Sequence, residues 1–169
     1  MLKGIIIILS FGLSFSANAF QQKTITKSKV GYLEIGLTAS DVYGIYGFEN
    51  VILFDQFLEA TFSPALSIEE EGIVAELDCG DIFRIKVYSG LYKTEKGIHV
   101  GSTVTDLKNA YPETAILYGE GIIVVNVKAL KMSFVLDISE LDIDKLGRAE
   151  YKIIEELPSQ VKIAEILVL

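Results

Sequence analysis

The strongest constraint on this chain is that it states one motif twice. Residues 35–42 (Ile-Gly-Leu-Thr-Ala-Ser-Asp-Val) return in kind at 100–107 (Val-Gly-Ser-Thr-Val-Thr-Asp-Leu), and the match runs without a gap to Tyr46 and Tyr111. The interval from Gly36 to Gly101 is 65 residues. In each copy a glycine makes a turn, a threonine stands ready to cap a helix, and an aspartate follows three residues on. These are Gly36, Thr38 and Asp41 in the first copy and Gly101, Thr103 and Asp106 in the second. Thr-x-x-Asp is the aspartate version of a capping box, in which hydroxyl and carboxylate satisfy backbone donors left free in the first helical turn. The aspartate also lies favourably against the helix dipole. The first helix is expected at about 39–46, ended by Gly47, and the second is stopped by Pro112. Val42, Ile45 and Tyr46, and then Leu107, Ala110 and Tyr111, fall at helical spacing and are expected to face a sheet.

Strand-like runs follow each helix. In the first unit they cover 51–55 and 59–67, the latter interrupted by Pro64 and so expected at an edge or a bulge. Next, Ile73, Ala75 and Leu77 alternate with Val74, Glu76 and Asp78, and Phe83, Ile85 and Val87 alternate with Arg84, Lys86 and Tyr88. A period of two means one buried and one wet face. The Asp78-Cys79-Gly80-Asp81-Ile82 join suits a tight hairpin. Matching the wet faces sets Glu76 opposite Arg84; a slip by one would bury Arg84 and expose Phe83. In the second unit the runs are 114–118, 122–129, 132–138 and 161–169, with a turn at 119–121. The stretch 139–158 is acidic and lacks a clean period, reading as a long loop with a short helix or an extra strand at 151–154.

One such unit cannot cover its own sheet. The expected fold is α+β: two tandem helix-plus-four-strand units forming one antiparallel sheet of about eight strands, with the short helices packed on one face. The opposite face is left free and carries Glu76, Arg84, Lys86, Tyr88, Asn126, Lys128 and Asp137.

The first nineteen residues read as a Sec-type signal peptide: Lys3, an apolar run over 4–15, and the small-x-small site Ala17-Asn18-Ala19. The mature chain is then expected to start at Phe20, with a polar leader over 20–29, repeat 1 over 30–92 and repeat 2 over 93–169. No cysteine follows the apolar run, so no lipid anchor is expected. The expected address is a bacterial periplasm or the medium, with no stable membrane insertion after cleavage. The full chain carries a formal charge of −8; without the signal, 14 basic against 23 acidic residues leave −9. Such a balance argues against general nucleic-acid binding and against docking on anionic lipid.

Little in the chain points to catalysis. Cys79 is the sole cysteine and His99 the sole histidine, a poor start for zinc or for a Cys–His pair. Glu69-Glu70-Glu71 reads as a solvated loop. Asp137, Asp142 and Asp144, with Glu140, are the candidate calcium ligands, although Lys145 and Leu146 interrupt an EF-hand pattern. Tyr32, Tyr43, Tyr46, Phe48, Tyr111 and Tyr118 read as core around the helices, while Tyr88 and Tyr92 are better placed for an interface. No phosphate loop, Ser/His/Asp set or metalloprotease helix occurs. The expectation is therefore a non-catalytic protein without a cofactor, binding another envelope or extracellular protein through Glu76, Arg84, Lys86, Tyr88, Asn126 and Lys128. Reversing Arg84 and Lys86 to glutamate is expected to weaken capture and leave folding intact. A small-ligand or calcium-binding envelope protein is the second expectation, and a hydrolase of unknown type the third.

The turn glycine, Thr-x-x-Asp, short helix and four-strand run, given twice, resemble the β-lactamase-inhibitor-protein fold. The segment 35–47 is similar to the xVGxTxxDVxxxxG segment of the SmpA/OmlA envelope lipoproteins. The stretch 93–103 also resembles secreted bacterial proteins of no assigned role. The motif covers about thirteen residues per copy, and the likeness extends as a plan over most of 30–169. The chain departs from the inhibitor pattern in having no cysteine pairs and in its acidic stretch from Ser139, and no inhibitory residue carries over.

Overall fold

Both threonine caps close as their spacing predicts. In the computed structural model, which describes residues 23–58, 61–119, 122–139, 141 and 157–169, helix α1 spans Ala39–Tyr46 and helix α2 spans Val104–Ala110. Thr38 Oγ1 accepts from the Asp41 amide at 3.2 Å, and Asp41 Oδ2 accepts from the Thr38 amide at 2.9 Å. Thr103 and Asp106 repeat the exchange at 3.1 and 2.9 Å. Hydrogen bonds from Thr38 and Thr103 hold Asp41 and Asp106 below the usual carboxylate range. Gly36 and Gly101 sit at φ +90° and +94° with open space where a Cβ would stand. Backbone conformation, not crowding, demands glycine there.

The strands, in chain order, are β1 (Thr24–Ile25), β2 (Lys29–Val30), β3 (Leu33–Glu34), β4 (Ile52–Leu58), β5 (Thr61–Ile68), β6 (Ile73–Asp78), β7 (Asp81–Val87), β8 (Lys93–Thr94), β9 (Ala115–Gly119), β10 (Ile122–Val127), β11 (Met132–Leu136) and β12 (Ile163–Val168). Eight of them form one antiparallel sheet in the order β4-β5-β6-β7-β12-β11-β10-β9. That order is a palindrome. The two meanders meet at β7 and β12, paired antiparallel through Lys86↔Leu167 and its neighbours. The repeats are thus related by an approximate two-fold axis normal to the sheet, as the α+β expectation allowed but did not specify.

The equivalence reaches single hydrogen bonds. Gly36 N donates to Ile82 O, Ile82 N to Leu37 O, and Ala39 N to Gly80 O, at 2.8, 2.8 and 3.1 Å. In the second repeat Gly101 N donates to Ile163 O, Ile163 N to Ser102 O, and Val104 N to Val161 O, at 2.8, 2.9 and 2.8 Å. Each repeat also has a register shift at the same place, between Glu76 and Leu77 and between Val135 and Leu136. The extra residues are Phe83 and Ala164. Finally, 3-10 turns over Glu69–Glu71 and Lys128–Leu130 end on the left-handed residues Gly72 and Lys131.

One apolar core lies between sheet and helices. Val42, Val104 and Leu107 from the helices join Ile73, Ala75, Ile85, Val87, Ile123, Val125, Phe134, Ile166 and Val168 from the sheet. Ile45, expected to pack, is exposed, whereas Tyr111 is buried.

The structure corrects the sequence reading elsewhere. Glu76 does pair with Arg84, but Phe83 is exposed and Ile82 takes the core position, because the bulge shifts the alternation by one residue. Pro64 is not on an edge strand. β5 is paired on both sides, but its ladder with β6 runs only over Ala65–Ile68, so Pro64 meets β4 alone and its missing N–H costs no bond. Within the leader expected over 20–29, residues 24–25 and 29 are instead in strands. β1 and β2 join β3 and β8 in a second, four-stranded sheet of order β3-β2-β1-β8, where Ile25 and Val30 are fully buried. Two-residue strands carry no periodicity for sequence reasoning to find. The signal at 1–19, the turn residues 120–121 and most of the acidic stretch, with the strand expected at 151–154, lie outside the described residues. Among the described residues no helix is long and apolar enough to cross a membrane.

Candidate functional site

Alternation and register place the free face of the large sheet without ambiguity. One row crosses all eight strands: Ile52, Ser67, Val74, Lys86, Leu167, Ser133, Asn126 and Ala115. Beside it run Phe54, Ala65, Glu76 and Arg84 in the first repeat and Glu165, Val135, Val124 and Leu117 in the second.

The centre of this face is a closed polar cluster. Glu76 has 0% of its side chain exposed although it points away from the core. Arg84 donates to one of its oxygens, and Lys86 Nζ and Gln56 Nε2 reach the other at 2.6 and 2.7 Å. The small Ala65 opposite Glu76 leaves room for Gln56 to lean over it. Burial pushes the Glu76 carboxyl up, but the bonds and charges of Arg84 and Lys86 more than reverse this and hold it below the usual range. Across the seam Glu165 behaves in the opposite way. Burial dominates and raises its pKa, despite Lys86 and the Tyr88 hydroxyl, and its Oε1 is buried without a hydrogen-bond partner among the described residues. Burial and the Glu165 charge likewise push the Tyr88 phenol up.

This geometry changes the roles expected of the six docking residues. Glu76 is a buried counter-ion, not a contact. Arg84 and Lys86 are committed to it, so reversing both to glutamate would set three carboxylates together around a site closed to water. That change would threaten the fold and cannot serve as a clean surface probe. Tyr88 is half exposed at the rim. Asn126 lies on the face, where its Oδ1 accepts from the Ser133 hydroxyl. Lys128 is in the turn after β10, off the sheet. The residues missed are apolar: Ile52, Phe54, Leu117 and Ile122 are all exposed, and their alternation phase puts them on this face. That phase is the signal in the sequence that marks them.

Other candidates fall apart. Tyr92 is fully buried, its hydroxyl donating to Glu71, which also pairs with Lys23. The acid run is therefore only partly solvated. Burial raises Glu71, yet Lys23 and Tyr92 bring it below the ordinary range, and burial with the nearby Glu71 charge pushes Tyr46 up to about 12. Of the helix-side aromatics, Tyr32, Phe48 and Tyr118 are exposed. Cys79 stands at the two-residue β6–β7 turn with φ +50°. A hydrogen bond and charge from Asp78 raise its thiol pKa, the reverse of what an active thiolate needs. His99 Nδ1 lies 2.8 Å from the Val100 carbonyl. Asp137 accepts from the Ser139 amide at 3.0 Å; Asp142, Asp144 and Glu140 lie outside the described residues. Among the described residues no group of three or more His, Cys, Asp or Glu side chains is placed to hold a metal.

No family model matches the sequence, and no curated protein matches it. Among solved structures the chain is similar to the uncharacterized protein YfeY from Escherichia coli, with a TM-score of 0.60 at 13% identity, covering 86% of this chain and 98% of that one. At that identity the likeness concerns the fold alone.

Proposed function

We propose that this protein is a non-catalytic, secreted or periplasmic binding module that docks another envelope or extracellular protein on the free face of its large sheet. The observation that carries this reading is the pairing of a closed polar centre with exposed apolar flanks. Ile52 and Phe54 on one side and Leu117 and Ile122 on the other are open to water, while the other face of the sheet is covered by both helices. Apolar groups flanking a satisfied polar cluster suit a protein partner, since exposed apolar patches mark interaction surfaces and large apolar anchors dominate binding energy. The signal-like residues 1–19 supply the address.

The test is site-directed photo-crosslinking in cells of the source organism. A benzophenone side chain at Leu117 or Ile122 is compared with one at Phe48, which is 76% exposed but on the helix side, stacked on Tyr43 at 4.3 Å. The expected result is one discrete adduct from the sheet positions, absent from Phe48, with the Ile122 adduct abolished by Leu117→Asp at unchanged melting temperature. Equal labelling from both faces, or an adduct indifferent to Leu117→Asp, removes the assignment.

A further inference from the structure

The two-fold relation between the repeats exposes an asymmetry on the helix side. Residues before and after the left-handed turn positions correspond, so Glu71 and Ile73 match Leu130 and Met132, and the helix motifs match Tyr46 with Tyr111. In the first repeat this place is filled by Tyr92, fully buried with its hydroxyl bonded to Glu71. In the second repeat Leu130 stands where the acid stood. There the structure has a cleft of about 910 Å³, bounded by Tyr111, Leu130 and Met132 on one side and by β1 and β8 on the other.

We propose that this cleft binds a long-chain acyl carboxylate. Its volume is in the range of small-ligand sites, roughly 300–1,000 Å³. The apolar side chains that open onto it are Leu91 and Leu130, over a floor of Ile25, Tyr111 and Met132 that is packed into the core. Replacing Glu71 by Leu130 removes the acceptor that the first repeat offers a hydroxyl, so the inner end of the occupant is a hydrocarbon. The mouth is basic. Lys23 is committed to Glu71, but Lys27 and Lys93 are exposed and make no ion pair among the described residues, against the single carboxylate of Glu95. With Lys96 Nζ also 4.8 Å from the Tyr111 ring, the entrance is cationic in a chain of formal charge −8, which favours an anionic head over a neutral one.

The experiment is a titration of delipidated mature protein with cis-parinaric acid, followed by its fluorescence, with palmitate and hexadecanol as competitors. One-to-one saturable binding, displaced by palmitate more effectively than by hexadecanol, is the expected result. Leu130→Glu, which restores the acid of the first repeat, is expected to weaken binding by at least about tenfold. Lys27→Glu with Lys93→Glu is expected to reduce the preference for palmitate over hexadecanol while leaving the melting temperature unchanged. Absence of saturable binding, or binding untouched by Leu130→Glu, overturns the assignment. So does binding lost instead with Phe57→Ser, which would locate the probe on the exposed β4–β5 hairpin.

Discussion

The two repeats share a backbone plan and differ in the chemistry they set on it. Caps, docking bonds, bulges and left-handed turns correspond one for one, yet equivalent positions on the free face carry unlike side chains. Glu76 corresponds to Val135, Arg84 to Glu165, and Lys86 to Leu167, each pair placed by the shared bulge. The first repeat makes its half of the face a closed ionic cluster, and the second makes its half mainly apolar. The first also extends its outer hairpin, where Phe57 and Phe62 meet edge to face at 5.3 Å and are 65% and 74% exposed. Backbone hydrogen bonding thus dictates the repeat, while the solvent-facing phase of each strand is free to diverge.

The comparison can be broken most severely at its centre. Glu76→Ala leaves Arg84 and Lys86 without their shared counter-ion, and a loss of about 3–5 kcal/mol is expected for breaking a buried pair. Val135→Ala, at the matching place, is expected to cost only about 1 kcal/mol for its half-buried methyls. Urea unfolding of both variants measures the difference; equal losses would mean that the ionic centre is no more integral than its apolar counterpart.

Thr38→Ala and Thr103→Ala test the likeness rather than the contrast. Each removes one capping hydroxyl with the same geometry, so each is expected to cost about 1 kcal/mol. Thermal melts differing by more than a few degrees would show that the two helices do not contribute alike.

The seam carboxylates give opposite pH dependences. Glu76 titrates below its unfolded value of about 4.3, so its contribution is present above that pH and is lost as pH falls through its lowered folded pKa. Glu165 titrates above its unfolded value, so its contribution is full below about pH 4.3 and is lost as pH rises through the raised folded pKa. Glu165→Gln is therefore expected to flatten the alkaline side of a plot of urea midpoint against pH and to leave the acid side in place. A variant curve parallel to the wild type would remove Glu165 from this role.

The smallest effect is expected at the overhanging hairpin. Phe62→Ser removes an exposed ring that meets Phe57 edge to face, and about 0.5 kcal/mol or less should be lost. A larger drop in melting temperature would mean that the extension supports the sheet.

Much of this architecture is legible because it is local. A capping box spans four residues, a turn glycine satisfies one φ, and alternation along β6 and β10 declares one face at a time; each of these is legible in the chain and present in the fold. The Glu76–Arg84 register was legible too, since only one register aligns two wet phases across a tight hairpin. The bulge at Phe83 was not, because it answers to the docking of Gly36 and Leu37 onto Ile82, contacts made across the fold.

What the sequence by itself determined is therefore the repeat unit: its caps, its turns and the phase of most of its strands, all set by interactions between near neighbours. Only the tertiary structure decided how the units combine. The same local pattern fits two units stacked by translation or turned about an axis, and the pairing of β7 with β12 selects the second. That choice places Glu165 beside the Lys86 side of the ionic cluster. Other long-range packing, apart from that seam, leaves the Glu76 side chain fully buried, sends Tyr92 inward onto Glu71, and gathers β1 and β8 into a sheet. Each of these depends on which distant chain segment arrives alongside, and burial and charge are properties of that neighbour as much as of the residue itself.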